Sequence, residues 1–147
     1  IMDLLEVRKH SLVAFNWRHE RNALTALADK RGYTYEIIDG ETNPQKRVDI
    51  VQRFQAGQIK VLFAHPQSAS HGLTLTKATT CIWCSPTYNA EHFQQFNRRI
   101  HRSGQTSKTE TILIAARNTW EETVYEKLNG KLGKMENLLH ILNKLNN

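Results

Sequence analysis

Between Gln94 and Gln105 the chain reads Gln-Gln-Phe-Asn-Arg-Arg-Ile-His-Arg-Ser-Gly-Gln, a dense run of side chains able to do chemistry. On a helix, Gln95, Arg99 and Arg102 fall at i, i+4 and i+7 and project from one face. Two guanidiniums and a carboxamide on one stripe at a helix end suit recognition of phosphate oxygens, with Gly104 closing the helix. Spacing alone leaves a second reading open, since basic helix faces are often just solvated. Upstream, the segment from His65 to Leu75 (His-Pro-Gln-Ser-Ala-Ser-His-Gly-Leu-Thr-Leu) gathers small and hydroxyl-bearing residues around Gly72. Such a loop lets the backbone approach a phosphate closely, with Ser, Thr and backbone N–H groups as donors. His65 and His71 have no Cys or acid cluster beside them, so they read as loop-shaping or phosphate-adjacent rather than as metal ligands.

Several chemistries are missing. The phosphate-binding pattern GxxxxGK[ST] fails at both Gly-Lys pairs: at Gly130-Lys131 Tyr125 stands in place of the first glycine and Leu132 in place of Ser or Thr, and at Gly133-Lys134 Leu128 and Met135 do. No Asp-Glu pair ends a predicted strand to hold magnesium, because Glu121-Glu122 falls in the terminal helix. No complete nucleotide-hydrolysis site can be assembled from these residues. Cys81 and Cys84 form a CxxC, but no second Cys pair completes a zinc ribbon. Within a strand, two residues three apart point to opposite faces, which favours a pair of buried, reduced thiols.

The elements that must position these residues follow from pattern. Leu12–Phe15, Tyr35–Ile38, Lys60–Ala64, Cys81–Cys84 and Glu110–Ala115 read as strands. Helices are predicted over Trp17–Lys30, with Gly32 as C-cap, and from Asn43-Pro44 to Gly57, with Val48, Val51 and Phe54 on the apolar face. Another is predicted over Asn89–Arg102, and the tail from Trp120 to Leu145 is helical, interrupted at Gly130 and Gly133. Trp83 and Trp120 read as core, and Trp17 either as the buried start of its helix, the favoured reading, or as a face that could stack on a base. Strands alternating with helices predict an α/β fold with a doubly wound parallel sheet, whose ligand-binding loops collect beyond the C-terminal strand ends.

At 147 residues the chain suits one domain, residues 1–147, without linker or repeat. Ordinary globular composition (39% apolar, 23% charged) excludes collagen-like and disordered classes. No apolar run approaches the roughly 20 residues of a membrane span, and no signal peptide is visible, so an intracellular setting is expected. The net charge of +6 suggests an acidic partner. From Ile50 to Thr109 the only acid is Glu91, against bases that include Arg53, Lys60, Lys77, Arg98, Arg99, Arg102 and Lys108. That half of the chain would attract nucleic acid or another phosphate-bearing ligand.

Gln95-x-x-x-Arg99-x-x-Arg102-x-Gly104-Gln105 resembles the sixth motif of superfamily-two helicases, in the form found in Swi/Snf-type translocases. His65 to Leu75 resembles the fifth motif, with His65 to Leu73 in its phage-type version, and Ala14 to Glu20 is similar to the fourth. Asp39-Gly40, Arg47 and Phe54 match the loop and helix that follow the fourth motif, and the likeness runs from about Leu12 to Ala115. The resemblance implies a second, C-terminal RecA-like lobe of a longer two-lobe motor, consistent with a chain that opens as if mid-helix. ATP and Mg2+ would be held mainly by a first lobe carrying the P-loop. By position, Arg102 would be an arginine finger, Arg99 its phosphate-contacting companion and Gln95 an orienting group, with Gly72 also at the ATP site. Asn16, Arg18, Ser68, Ser70, His71 and Thr74 would contact nucleic acid, DNA more than RNA. Many relatives have Asn where this chain has Thr74. A phage origin would place the protein in a bacterial cytoplasm.

Two rivals remain at this stage: a stand-alone nucleic-acid-binding module without ATPase role, and a redox or zinc protein using Cys81 and Cys84. The motor reading predicts that residues 1–147 alone release no phosphate from ATP, because a finger without a P-loop positions nothing. A phosphate-release assay checks this, and steady turnover by the purified domain would overturn the lobe assignment.

Overall fold

A computed structural model describes residues 1–69 and 72–130. In chain order the elements are α1 (Met2–Glu6), β1 (Ser11–Ala14), α2 (Arg18–Arg31), β2 (Tyr35–Ile38), α3 (Pro44–Gln55), β3 (Val61–Ala64), β4 (Thr80–Trp83), α4 (Ala90–Asn97) and β5 (Glu110–Leu113). A further helix runs over residues 120–130. The strands form one parallel sheet in the order β2-β3-β1-β4-β5. β1, β3 and β4 are buried at every position, as continuous apolar runs require when helices cover both faces.

Alternation along the strands sorts the core into two layers. Leu12, Leu62, Cys81 and Trp83 pack with Phe54 of α3, Phe93 and Phe96 of α4, and Tyr125. Val13, Phe15, Phe63 and Ile82 pack on the other side with Met2 and Leu5 of α1 and Leu24 and Ala28 of α2. The two cysteines follow this parity: Cys81 belongs to the first layer and Cys84 packs against the second. Both are free thiols. Burial pushes both up, Cys84 to about 12, so neither is a thiolate at neutral pH.

Local chemistry sets the helix starts. The Asn43 side chain accepts the Lys46 N–H ahead of Pro44, and the Asn89 side chain accepts the His92 N–H. Gly32 ends α2 at φ +69°, its N–H directed at Ala28 and Asp29 carbonyls.

Several predicted details are corrected. Trp17 is 55% exposed, because it is the extended N-cap of α2 rather than part of its inward stripe; Leu27 and Val48 are exposed as well. Trp120 is 78% exposed. It precedes Tyr125 by five positions, about 140° round a helix, so it faces away when Tyr125 faces the sheet. α4 stops at Asn97 instead of Arg102, and β5 stops at Leu113. The predicted tail beyond residue 130 lies outside the described residues. Among the described residues no helix is long and apolar enough to cross a membrane.

Two predictions come from this core. Trp83 packs against Phe93 (tilted) and Phe96 (edge-on) at 4.8 and 5.0 Å between ring centres, and its Nε1–H donates to Asn97 Oδ1 at 2.7 Å. Trp83→Phe should therefore lose about 1–3 kcal/mol in denaturant unfolding, from the orphaned carboxamide and the vacated volume. His65, edge-on to Phe15, accepts the Gln67 N–H through Nδ1. Burial, helped by His92, lowers its pKa against the opposing pull of Asp39. Its contribution to stability is thus full above about pH 6.5 and is lost as pH falls through the lower folded value. Unfolding midpoints at pH 7 and pH 5 should differ more in the wild type than in His65→Gln.

Candidate functional site

β1 and β4 are neighbours, yet α2 leaves β1 across one face and α4 leaves β4 across the other. Connections that part in this way open a crevice beyond the C-terminal strand ends. Here it measures about 420 Å³ and is lined by Asn16, Trp17, His65, Gln67, Tyr88 and His92. Next to it, sharing Asn16 and Trp17 with its lining, is a hydrogen-bonded hub. Glu20 Oε1 accepts from the backbone N–H of Asn16 (2.9 Å) and Trp17 (3.1 Å) and from Ser85 Oγ (3.0 Å). Asn16 Nδ2 donates to the Ser85 carbonyl at 2.8 Å. That amide group, predicted to contact nucleic acid, is thus engaged in tying the ends of β1 and β4 together. Arg18 is exposed beside the crevice, with a loose 3.4 Å contact to Glu41 that leaves it available. Trp17 and Tyr88, 55% and 75% exposed, stand as aromatic faces on its lining.

The second part of the site joins two segments distant in sequence. The Ser68 carbonyl accepts from Arg47 Nη1 at 2.8 Å, which ties the loop after β3 to α3. Ser70 and His71 lie outside the described residues. Gly72 has φ +71° with open space where a Cβ would stand, so the backbone conformation selects glycine there, not a close approach. Thr74 is exposed. The Leu75 N–H donates to the Arg99 carbonyl at 2.9 Å. Arg102 Nη1 reaches the carbonyls of Gly72 (3.2 Å) and Leu73 (2.9 Å), and Arg99 Nη1 reaches Leu73 at 3.4 Å. Both arginines therefore converge on one turn of the loop. Gln105 fastens the arrangement, its Nε2 lying 3.0, 3.0 and 2.8 Å from the carbonyls of Thr76, Ala78 and Ile100.

The shared helical stripe is corrected. Because α4 ends at Asn97, Arg99 and Arg102 sit in the turns beyond it, and tertiary contacts bring them together. The Gln95 side chain points back along α4 to Glu91 Oε1 at 3.1 Å, and Gln95 meets Arg99 through its backbone carbonyl at 2.8 Å. Arg99 is buried whereas Arg102 is exposed. Burial, then the charges of Arg102 and Arg98, pull the Arg99 pKa below its usual value, although an arginine remains charged at neutral pH. No carboxylate pairs with Arg102 among the described residues. Nor does any group of three or more His, Cys, Asp or Glu among them form a metal site. Sequence reasoning missed the structural roles of Glu20, Arg47 and Gln105 and the exposure of Tyr88. Gln105 stood in the motif without a role, and the turn-forming neighbours of Tyr88 (Pro86, Asn89) were its one available signal.

Residues 1–104 match the helicase conserved C-terminal domain. Over 124 residues the chain is 32% identical to the chromodomain-helicase-DNA-binding protein 1-like of Mus musculus, covering 84% of this chain and 14% of that protein. It is 33% identical over 134 residues to the protein CHROMATIN REMODELING 24 of Arabidopsis thaliana, covering 86% of this chain and 12% of that protein. Among solved structures, the C-terminal part of the Fun30 ATPase domain matches with a TM-score of 0.80 at 19% identity, over 85% of this chain and 42% of that one. That likeness shows a common RecA-like fold. These relatives give no support to the phage-type likeness of residues 65–73. With the family domain matched over more than half its length, the chain belongs to the helicase conserved C-terminal domain family and is a C-terminal lobe of the superfamily-two type.

Proposed function

We propose that this chain is the second motor lobe of an ATP-dependent DNA helicase or translocase. The observation that carries the reading is the convergence of Arg99 and Arg102 on the Gly72–Leu73 turn. It joins the group suited to phosphate oxygens to the loop suited to a nucleic acid backbone. A phosphate fits the donor set, since Arg102 is exposed and offers a planar fork of N–H groups. Bound ATP and Mg2+ would supply the phosphoanhydride and its charge-neutralising cation, both held mainly by a first lobe.

The residues then divide the work. Arg102 acts as the finger that stabilises charge on the transferring phosphoryl oxygens. Arg99, buried and bonded to Gln95 and Leu73, serves as its positioning residue. Gly72 allows the turn that both arginines hold. Nucleic acid binds along the C-terminal strand ends, where Arg18, Thr74 and the loop from Ser68 through Ser70 and His71 meet the backbone and Trp17 and Tyr88 offer stacking surfaces. Asn16 shapes that surface through Ser85. The acid-poor stretch from Ile50 to Thr109 supports a backbone-dominated, salt-sensitive mode of binding. A bacterial or phage setting rests on residues 65–73 alone.

In the full-length protein, Arg102→Lys should lower kcat by on the order of 10³ or more while nucleotide and DNA binding stay near wild type, because lysine keeps the charge but loses the fork. Arg98, the C-cap of α4, is outside the convergence, and Arg98→Lys should be mild. ATPase rates at saturating DNA check both. An Arg102→Lys variant within a few-fold of wild type would replace the motor reading with that of a nucleic-acid-binding module.

A further inference from the structure

At the opposite, N-terminal edge of the sheet a separate concavity of about 430 Å³ lies between the α1–β1 link, the Thr76–Thr80 segment and the turn after Gly104. Its size suits a small molecule, but its lining is polar, and the sole ring in it is the imidazole of His10. Lys9 and Lys77 are exposed there, and their ammonium groups have no partner among the described residues. Lys77 crosses Gly57 towards His10: Lys77 Cε and His10 Cε1 stand 3.2 and 3.8 Å from the point where a Gly57 Cβ would be. His10 Nδ1 donates to the Ile59 carbonyl at 2.9 Å, which fixes the ring at the edge of the concavity.

The pocket holds one carboxylate, that of Glu110, and it is already satisfied. Arg8 Nε donates to it at 2.7 Å and Thr80 Oγ at 2.9 Å. The Arg8 hydrogen bond, then that of Thr80, holds the Glu110 pKa below the usual carboxylate range, so this pair cancels and the two lysines set the sign of the field. The hydroxyls of Thr79, Thr106 and Ser107 add donors with no partner among the described residues. The wall they stand on is preorganised, because Gln105 anchors Thr76, Ala78 and Ile100 and also accepts the Ser107 N–H at 3.1 Å.

We propose that this pocket binds a compact polyphosphate anion at a site separate from the Arg99–Arg102 pair. Point-charge ammonium groups with rotatable hydroxyls match the many oxygens of such an anion. With no aromatic face beyond the His10 edge, a nucleobase would find little to stack on, so the phosphates are what is read. The inference stands on this geometry and does not depend on the motor reading.

The test is isothermal titration of the full-length protein with inorganic pyrophosphate. Three forms are compared: wild type, the Lys9→Gln/Lys77→Gln double variant, and Arg102→Gln. Both lysines are exposed, so the double variant should fold, and an unchanged melting temperature checks this. The double variant should bind pyrophosphate about tenfold more weakly or worse, whereas Arg102→Gln keeps the lysine-dependent binding. Repeating the titration with GDP separates the sources. A parallel loss points to the phosphate tail of a nucleotide, and a loss for pyrophosphate alone points to the free anion; either supports the site. Wild-type affinity in the double variant, or loss of all pyrophosphate binding in Arg102→Gln, would overturn it. So would a lysine dependence seen with a DNA duplex and not with pyrophosphate, which would make this edge a second DNA contact.

Discussion

The site depends on one side-chain amide. Residues 72–78 follow β3 and residues 98–105 follow α4, and no ladder or helix joins them. The Gln105 carboxamide, reaching carbonyls of Thr76, Ala78 and Ile100 from a single nitrogen, does so. An amide nitrogen has two hydrogens, so one of them is shared between acceptors. Unmaking this arrangement would leave carbonyls of both segments without their donor, a cost of about 1–3 kcal/mol for each buried group left unmet. The Leu75–Arg99 backbone bond and the arginine contacts at Leu73 lie on the same seam. Arg102 can be exposed and yet fixed in direction because the chain beneath it is fastened on both sides.

A second hub does the same for the crevice. The Glu20 carboxylate, on the first turn of α2, accepts two backbone N–H groups at the helix start and the Ser85 hydroxyl beyond β4. A negative charge there also complements the positive end of the α2 dipole. One side chain thereby starts a helix and sets the separation of β1 and β4 at the point where their connections part. The aromatic faces of Trp17 and Tyr88 line the adjoining crevice without contributing to the core. The residues that hold the strands together and those that leave aromatic faces exposed are therefore different, within a few positions of each other.

The two edges of the sheet differ in chemistry. The C-terminal edge carries the aromatic faces of Trp17 and Tyr88, two imidazoles and the planar guanidinium of Arg18. The N-terminal edge carries ammonium groups and hydroxyls around a neutralised carboxylate. Gln105 lines the second and also fastens the turns that carry Arg99 and Arg102.

The fold class was legible in the order of apolar runs and helical stretches, because a strand buried on both faces cannot hide its composition. The parity of Cys81 and Cys84 was legible too, since strand geometry places residues three apart on opposite faces. Arg99 and Arg102 were identifiable as a pair from residue type and spacing. How they are paired was not: a continued helix was the local expectation, but α4 ends at Asn97 and the turns beyond it are held by partners some 26 to 30 positions away. Local spacing carries no trace of such partners. The same holds for Asn16, whose partner Ser85 is 69 positions distant, and for Trp17 and Trp120, whose hydrophobicity suggested burial that their place on the helix surface denies. Residue types decided what chemistry was available, and tertiary structure decided which of those groups remain exposed, because only long-range hydrogen bonds and packing determine which side chains are consumed in holding the chain together.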